Sequence, residues 1–238
     1  TLGSPIAMMI ENRDWKNWSD VMSVEPVSTQ TAEMRRVTRP RPGHADLTGS
    51  QKFDHSDARN VLERSSARET AARVAAGAVA KLLLRPFGIE ILSHTRAIGK
   101  VNLPEEFMVG WSELKKNRDD TVVHCVLPEY TERMVEEIKA AQKEGDSVGG
   151  TFEVIATGIP VGLGSYTSWE QKLDGRIAQA VMSINAVKAV EIGDGVKVAF
   201  RLGSGAHDEI SFDSETQRFD RLTNRPAPWR TAQWPNPP

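Results

Sequence analysis

The chain has 238 residues, of which 39% are hydrophobic and 26% charged, and its formal net charge is -2. This composition is typical of a soluble globular protein with one large or two small domains, and it argues against a general nucleic-acid binder. No apolar run approaches the roughly 20 residues of a membrane span, and no secretory signal is recognisable. The single cysteine, Cys125, excludes an internal disulfide and favours a reducing compartment. Because the chain opens with Thr1 rather than Met, we expect a fragment of a longer protein.

The first third of the chain alternates apolar and loop-like segments. Residues 5–12 (PIAMMIEN) predict a short, largely buried strand. Residues 24–43 are polar and interrupted by prolines, and they end in the basic run RRVTRPRPG, which indicates a long loop. Residues 43–60 (GHADLTGSQKFDHSDARN) predict further loop that leads into a short helix.

An alanine-rich helix is predicted next, starting near Ala67. Ser66 and Glu69 have the spacing of a capping box, and Pro86 and Gly88 are expected to end the helix. Six small or apolar residues recur at helical spacing and predict a buried face: Ala71, Val74, Ala75, Ala78, Val79 and Leu82.

The remainder alternates irregularly between helical and strand patterns. Strands are predicted within residues 87–99, 121–127, 149–157 and 195–204, and an amphipathic helix ending at Gly145 precedes the third of them. Residues 169–193 predict a buried helix followed by a strand. This order favours an α/β or α+β layered domain without internal repeats. The last thirteen residues (PAPWRTAQWPNPP) fit neither a helix nor a sheet.

One cluster has clear chemical potential, at the start of the alanine-rich helix. A helix N-terminus favours anions, Arg64 and Arg68 are one turn apart, and Ser65 and Ser66 add hydroxyl donors. Together they are suited to a phosphate group, with Arg41 and Arg59 as further contributors. A capped surface helix with two solvated arginines explains the local pattern equally well.

Other motifs are weaker. His44 lies in a glycine- and proline-framed loop where a histidine can act as a general acid, although most loop histidines are merely solvated. No histidines or cysteines have metal-ligand spacing, so no metal site is expected. GIPVGLG (residues 158–164) lacks the dinucleotide and Walker patterns and indicates a turn. Cys125, flanked by valines, is predicted to be an inert buried thiol.

Several segments together resemble the chorismate synthase family. They are GSPIAMMIENRDW, RPGHADL, ARNVLERSSARETAARVAAGAVAK, GIPVGLGSY, KLDGRIAQAVMSINAVKAVEIG and HDEI, in the order and spacing of that family. The resemblance implies an α+β fold, a β-α-β sandwich with helices between antiparallel sheets, assembled as a cytoplasmic homotetramer. It also implies a carbon–oxygen lyase that eliminates phosphate from 5-enolpyruvylshikimate 3-phosphate to form chorismate. Reduced FMN is the implied cofactor, and NADPH is implied only indirectly, for flavin reduction.

The resemblance also assigns roles to individual residues. Arg64, Ser65 and Ser66 match one flavin-binding stretch, and Asn185 and Ala186 match a second flavin contact. Two arginines, Arg41 and Arg68, match residues that hold the phosphorylated substrate, and His44 matches the histidine that protonates the reduced flavin.

Residues 1–225 are interpreted as a partial chorismate synthase domain and residues 226–238 as a non-matching tail. Family segments with a further catalytic histidine and an aspartate have no counterpart here, so we expect the chain alone to be inactive or nearly so. The alternative interpretation is an inactive remnant that only binds flavin or phosphate, or associates with intact subunits. Trp229–Arg230 and the tail after it are compatible with an out-of-frame reading of the family's glycine-rich continuation. The corresponding hypothesis is a frameshift.

Overall fold

Helices and strands occur together in the computed structural model, which is 41% helical and 12% strand. This content confirms the α+β prediction. The structure describes residues 3–65, 67–117, 121–160 and 162–221. The non-matching tail lies outside these residues. Within them, no helix is both long and apolar enough to cross a bilayer.

The chain divides into two units. Unit 1 comprises residues 1–80 and 182–188, and unit 2 comprises residues 81–181 and 189–238. Unit 1 contains three short helices and most of a longer one: Thr29–Glu33 (α1), Asp46–Phe53 (α2), Arg59–Ser65 (α3) and Ala67–Leu84 (α4). The prediction that α4 starts near Ala67 is confirmed. A 3-10 turn at Arg85–Phe87 and Gly88, in the left-handed region at φ 73°, end the helix as expected.

Unit 2 contains both sheets. The first has the strand order β2-β1-β3, with β1 at Glu90–Ile98, β2 at Val101–Asn102 and β3 at Gly150–Thr157, all antiparallel. The second is a hairpin of β4 (Ile210–Asp213) and β5 (Arg218–Arg221). The remaining helices are Trp111–Asn117 (α5), Pro128–Lys143 (α6), Leu173–Met182 (α7, whose last residue belongs to unit 1) and Gly203–Ala206 (α8).

Two apolar clusters form the core of unit 2. Leu92 of β1 packs with Leu114 and Val126, while Met134 of α6 packs with Val101, Leu103 and Cys125. Cys125 is fully buried, as predicted for an inert thiol. Burying a side chain such as Met134 completely stabilises the fold by about 1.5–3 kcal/mol.

Several predicted elements differ from the observed ones. Residues 5–12 form no strand and are exposed, because no described segment supplies the hydrogen-bonded neighbour that a strand requires. Residues 121–127 turn at His124 (φ 53°) instead of continuing as a strand. The strand predicted at 195–204 is a 3-10 helix at Gly195–Phe200, where local bonds such as Lys197 N–H to the Asp194 carbonyl replace sheet pairing.

The predicted buried helix faces are also exposed. On α4, Val74 and Leu82 are 67% and 58% exposed, and α7 has no fully buried residue among those described. Helical spacing of apolar residues fixes which side chains share a face, but it does not supply the surface that covers them.

Candidate functional site

The RPGHADL segment forms a turn that leads into α2. The backbone N–H of His44 donates to the Arg41 carbonyl at 3.4 Å, and Gly43 takes φ 73°. His44 is exposed, and its Nδ1 lies 3.1 Å from the Pro42 carbonyl oxygen. The turn thus places His44 and Arg41 beside the first residue of α2, Asp46.

Arg41 and Asp46 form the best-defined ion pair of this turn. Arg41 Nε lies 2.9 Å from Asp46 Oδ2, Nη2 lies 3.2 Å from Oδ1, and the Arg41 backbone N–H donates to Oδ2 at 3.0 Å. The side-chain hydrogen bond from Arg41 holds the pKa of Asp46 below its usual range, although burial opposes this shift. The same hydrogen bond raises the pKa of Arg41. Both groups therefore carry their charge at neutral pH.

The long loop before this turn is fixed by Asp57 and Arg59. Asp57 accepts from the Val37 backbone N–H at 3.2 Å, and Arg59 donates from Nε to Asp57 at 2.7 Å and from Nη2 to the Ala32 carbonyl at 2.9 Å. Burial raises the pKa of Asp57, but the hydrogen bonds from Arg59 and Val37 lower it further, so the net shift is downward. Arg59 is only 9% exposed. Its Nε and Nη2 hold the loop, and Nη1 has no hydrogen-bond partner among the described residues, so a contribution of Arg59 to anion binding stays a prediction.

Helix α2 packs closely on α3, which carries part of the predicted flavin-binding stretch. A Cβ at Gly49 of α2 would come within 2.5 Å of Val61 Cγ1 on α3, so this approach requires glycine. At the end of α3, Arg64 is exposed, while Ser65 is half-buried and its hydroxyl donates to the Val61 carbonyl at 2.8 Å. Ser66 and the side chain of Arg68 lie outside the described residues.

The second predicted flavin contact is tied to α4. Arg73 donates from Nη1 to Ser183 Oγ at 2.8 Å and from Nε to Glu69 Oε1 at 2.5 Å. Ser183 lies two residues before Asn185, and Ala186 takes the left-handed φ of 71°, which is uncommon for a residue with a Cβ. This tether joins positions 110 residues apart and brings the segment around residue 185 to the helix that follows Arg64.

The seven predicted site residues that the structure describes all belong to unit 1. The structure adds three positions that the sequence reasoning did not assign: Asp46, Arg73 and Ser183. Asp46 carried a signal, since an acidic residue at the first turn of a helix that follows a basic loop is a natural ion-pair partner. Arg73 and Ser183 carried none, because their contact depends on the tertiary arrangement.

Comparison with known proteins identifies the family. The chorismate synthase family model matches residues 1–226. The chain is 52% identical over 225 residues to chorismate synthase of Geobacillus thermodenitrificans, covering 94% of this chain and 58% of that protein. It is also 52% identical over 230 residues to the Koribacter versatilis enzyme, with the same coverage. A crystal structure of chorismate synthase matches with a TM-score of 0.70 and 42% identity, covering 76% of this chain and 56% of the other. The chain thus spans a little over half the length of these relatives.

Proposed function

Because the chain belongs to the chorismate synthase family, we propose that it takes part in the elimination of phosphate and a ring hydrogen from 5-enolpyruvylshikimate 3-phosphate, which gives chorismate. The observation that supports this proposal is the hydrogen bond between Arg73 and Ser183, which joins the helix after the first candidate flavin segment to the chain just before the second. Arg41 and His44 lie in the same unit, on a turn that leads into a helix packed against α3.

The residues present fit a flavin that carries a phosphate. Arg64 is exposed and offers a cation, and the left-handed backbone at Ala186 turns the chain next to Asn185. Arg64, Ser65, Ser66, Asn185 and Ala186 are the proposed residues that hold reduced FMN. When bound, reduced FMN supplies electron density while the bond from carbon to the phosphate oxygen breaks; NADPH serves only to reduce the flavin.

Arg41 and Arg68 are the proposed ligands of the substrate phosphate, since guanidinium groups match phosphate oxygens in charge and in shape. His44 is the proposed proton donor toward the flavin. A proton on its Nδ1 would be donated to the Pro42 carbonyl, 3.1 Å away, which leaves Nε2 as the nitrogen that exchanges a proton with a ligand. Positive charge placed in advance around a departing phosphate stabilises the charge that develops there.

We also propose assembly as a homotetramer in the cytoplasm, as in the family. The exposed apolar side chains of α4 support association, because apolar surface of this kind is commonly covered by a neighbouring subunit.

Chorismate formation by two histidine variants tests the proposal. His44→Asn is expected to lower kcat by about 100-fold or more, the usual contribution of a positioned acid, while reduced FMN still binds. His55→Asn is the matched control, since His55 belongs to the same unit and has no proposed role. Equal activity of both variants and the unmodified chain would refute the role of His44.

A further inference from the structure

Asp46 is a buried carboxylate whose hydrogen-bond partner in the described structure is Arg41. Its side chain is 0% exposed, yet it begins a helix that water otherwise reaches. The oxygens of Asp46 accept three hydrogen bonds, and all three come from Arg41. Burying a carboxylate costs free energy unless a well-ordered cation donates hydrogen bonds to it, so the buried position of Asp46 depends on an ordered Arg41 side chain.

The contact uses only one edge of the Arg41 guanidinium. A guanidinium has five N–H donors, and Asp46 engages Nε and Nη2 side-on. Three N–H groups remain, of which one on Nη1 and one on Nη2 face the outer edge, and the Arg41 side chain is 45% exposed. That outer edge has the spacing that binds two oxygens of a phosphate at once.

We propose that Asp46 is a positioning residue that fixes the guanidinium of Arg41 so that its outer edge receives the substrate phosphate. This inference rests on the proposed function, in which Arg41 binds the substrate. An unrestrained arginine loses much rotamer freedom when it binds a ligand. The ion pair with Asp46 restricts the Arg41 side chain before binding, so less conformational entropy is lost when the phosphate binds. The carboxylate also repels the phosphate, but this repulsion acts across the guanidinium at a surface that water screens.

A double-mutant cycle on substrate affinity tests the proposal. Binding of 5-enolpyruvylshikimate 3-phosphate is measured by calorimetry for the unmodified chain, Asp46→Asn, Arg41→Ala and the double variant. Asp46→Asn is expected to weaken binding about tenfold and to cause no further loss when Arg41 is already alanine. Asp194→Asn is the matched control, since it removes the carboxylate that pairs with Arg201 in unit 2, outside the loop that carries Arg41.

The outcomes separate the two claims. If Arg41→Ala binds substrate as well as the unmodified chain does, the substrate role of Arg41 in the proposed function is wrong. If Arg41→Ala weakens binding while Asp46→Asn binds equally well or more tightly, the positioning role alone is overturned. A similar loss of affinity from Asp46→Asn in the Arg41→Ala background, or from Asp194→Asn, would also overturn the positioning role, because the effect would then not depend on the contact between Asp46 and Arg41.

A second measurement decides the matter if Asp46→Asn does not fold. In the nitrogen-15-labelled unmodified chain, the Nε–H signal of Arg41 is assigned by its loss in Arg41→Lys. Slow exchange of this signal with water, with a shift on adding substrate, supports the proposal. Exchange as fast as in a solvated arginine would overturn it.

Discussion

Gly158→Ala should destabilise unit 2 strongly, because Gly158 stands where β3 ends beside the start of β1. Its φ of +71° lies in the left-handed region, which costs an alanine about 1–2 kcal/mol. An added Cβ would overlap the Gly88 carbonyl oxygen and lie 2.8 Å from the Gly88 carbonyl carbon, whereas real Cβ contacts stay beyond 3.0 Å. Because both atoms belong to backbone, the strand ends must move apart, which adds about 1–3 kcal/mol. The expected total is therefore about 2–5 kcal/mol.

Gly145→Ala provides the control, since Gly145 has nearly the same φ of +70° and no atom of the described chain within 4 Å of the added Cβ. Its free energy of unfolding should fall only by the cost of a left-handed alanine, about 1–2 kcal/mol, without the steric cost. Urea unfolding followed by circular dichroism measures both variants. A difference of about 2 kcal/mol corresponds to a midpoint difference of roughly 1 M urea at a typical slope. Equal losses for the two variants would refute the steric argument.

Three further outcomes are expected. Met134→Ala should lower the free energy of unfolding by about 2–5 kcal/mol, and Ile138→Ala, which is 37% exposed in the parent, by clearly less; similar losses in urea unfolding would contradict the cluster around α6. Because the pKa of Asp57 is lower in the folded state, its contribution to stability is complete above the unfolded value of about 3.9 and is lost as pH falls through the folded value. As the pH falls from 7 into this acid range, the free energy of unfolding should decrease less in Asp57→Asn than in the unmodified chain. Parallel plots of this free energy against pH for the two proteins would contradict this. Ser183→Ala should weaken binding of reduced FMN about two- to fivefold in an anaerobic absorbance titration, because the hydrogen bond from Arg73 that holds this segment to α4 is lost; unchanged affinity would contradict the tether.

Local signals in the sequence predicted much of the fold. The start of α4 near Ala67, its end before Gly88, and the end of α6 before Gly145 follow from residues that act within one turn. The strands β1 and β3 were also predicted. Their pairing, His94 opposite Glu153 for example, is a long-range property that no local pattern encodes.

The failures share a physical cause. Apolar residues around Val74 and Leu82 predicted burial, but burial needs a covering surface, and the described chain supplies none for them. On β1, Leu92 and His94 are buried and Ser93 between them is exposed. Both faces of the strand carry apolar residues, so the sequence did not show which face the contacts with α5 and α6 would cover.

For the candidate site, the family resemblance supplied the residues and the structure supplied their partners. Arg41 was predicted as a phosphate ligand, and the acidic residue in the first turn of α2 was a signal for its ion pair with Asp46. The signal did not single out this pair, because a basic loop before a helix has several acidic neighbours. The contact between Arg73 and Ser183 was unpredictable for the same reason that β pairing was. Both depend on where distant parts of the chain meet.

Anaerobic titration of the purified chain with reduced FMN and 5-enolpyruvylshikimate 3-phosphate tests the central claim most directly. Flavin absorbance and chorismate are followed together. We predict that the flavin spectrum changes on binding and that chorismate forms only slowly, as expected for a chain that lacks family segments, with both responses weakened in Arg64→Ala. A spectral change without chorismate would leave the binding site intact but contradict the proposed reaction. An unchanged spectrum would contradict the claim that unit 1 carries an assembled flavin site.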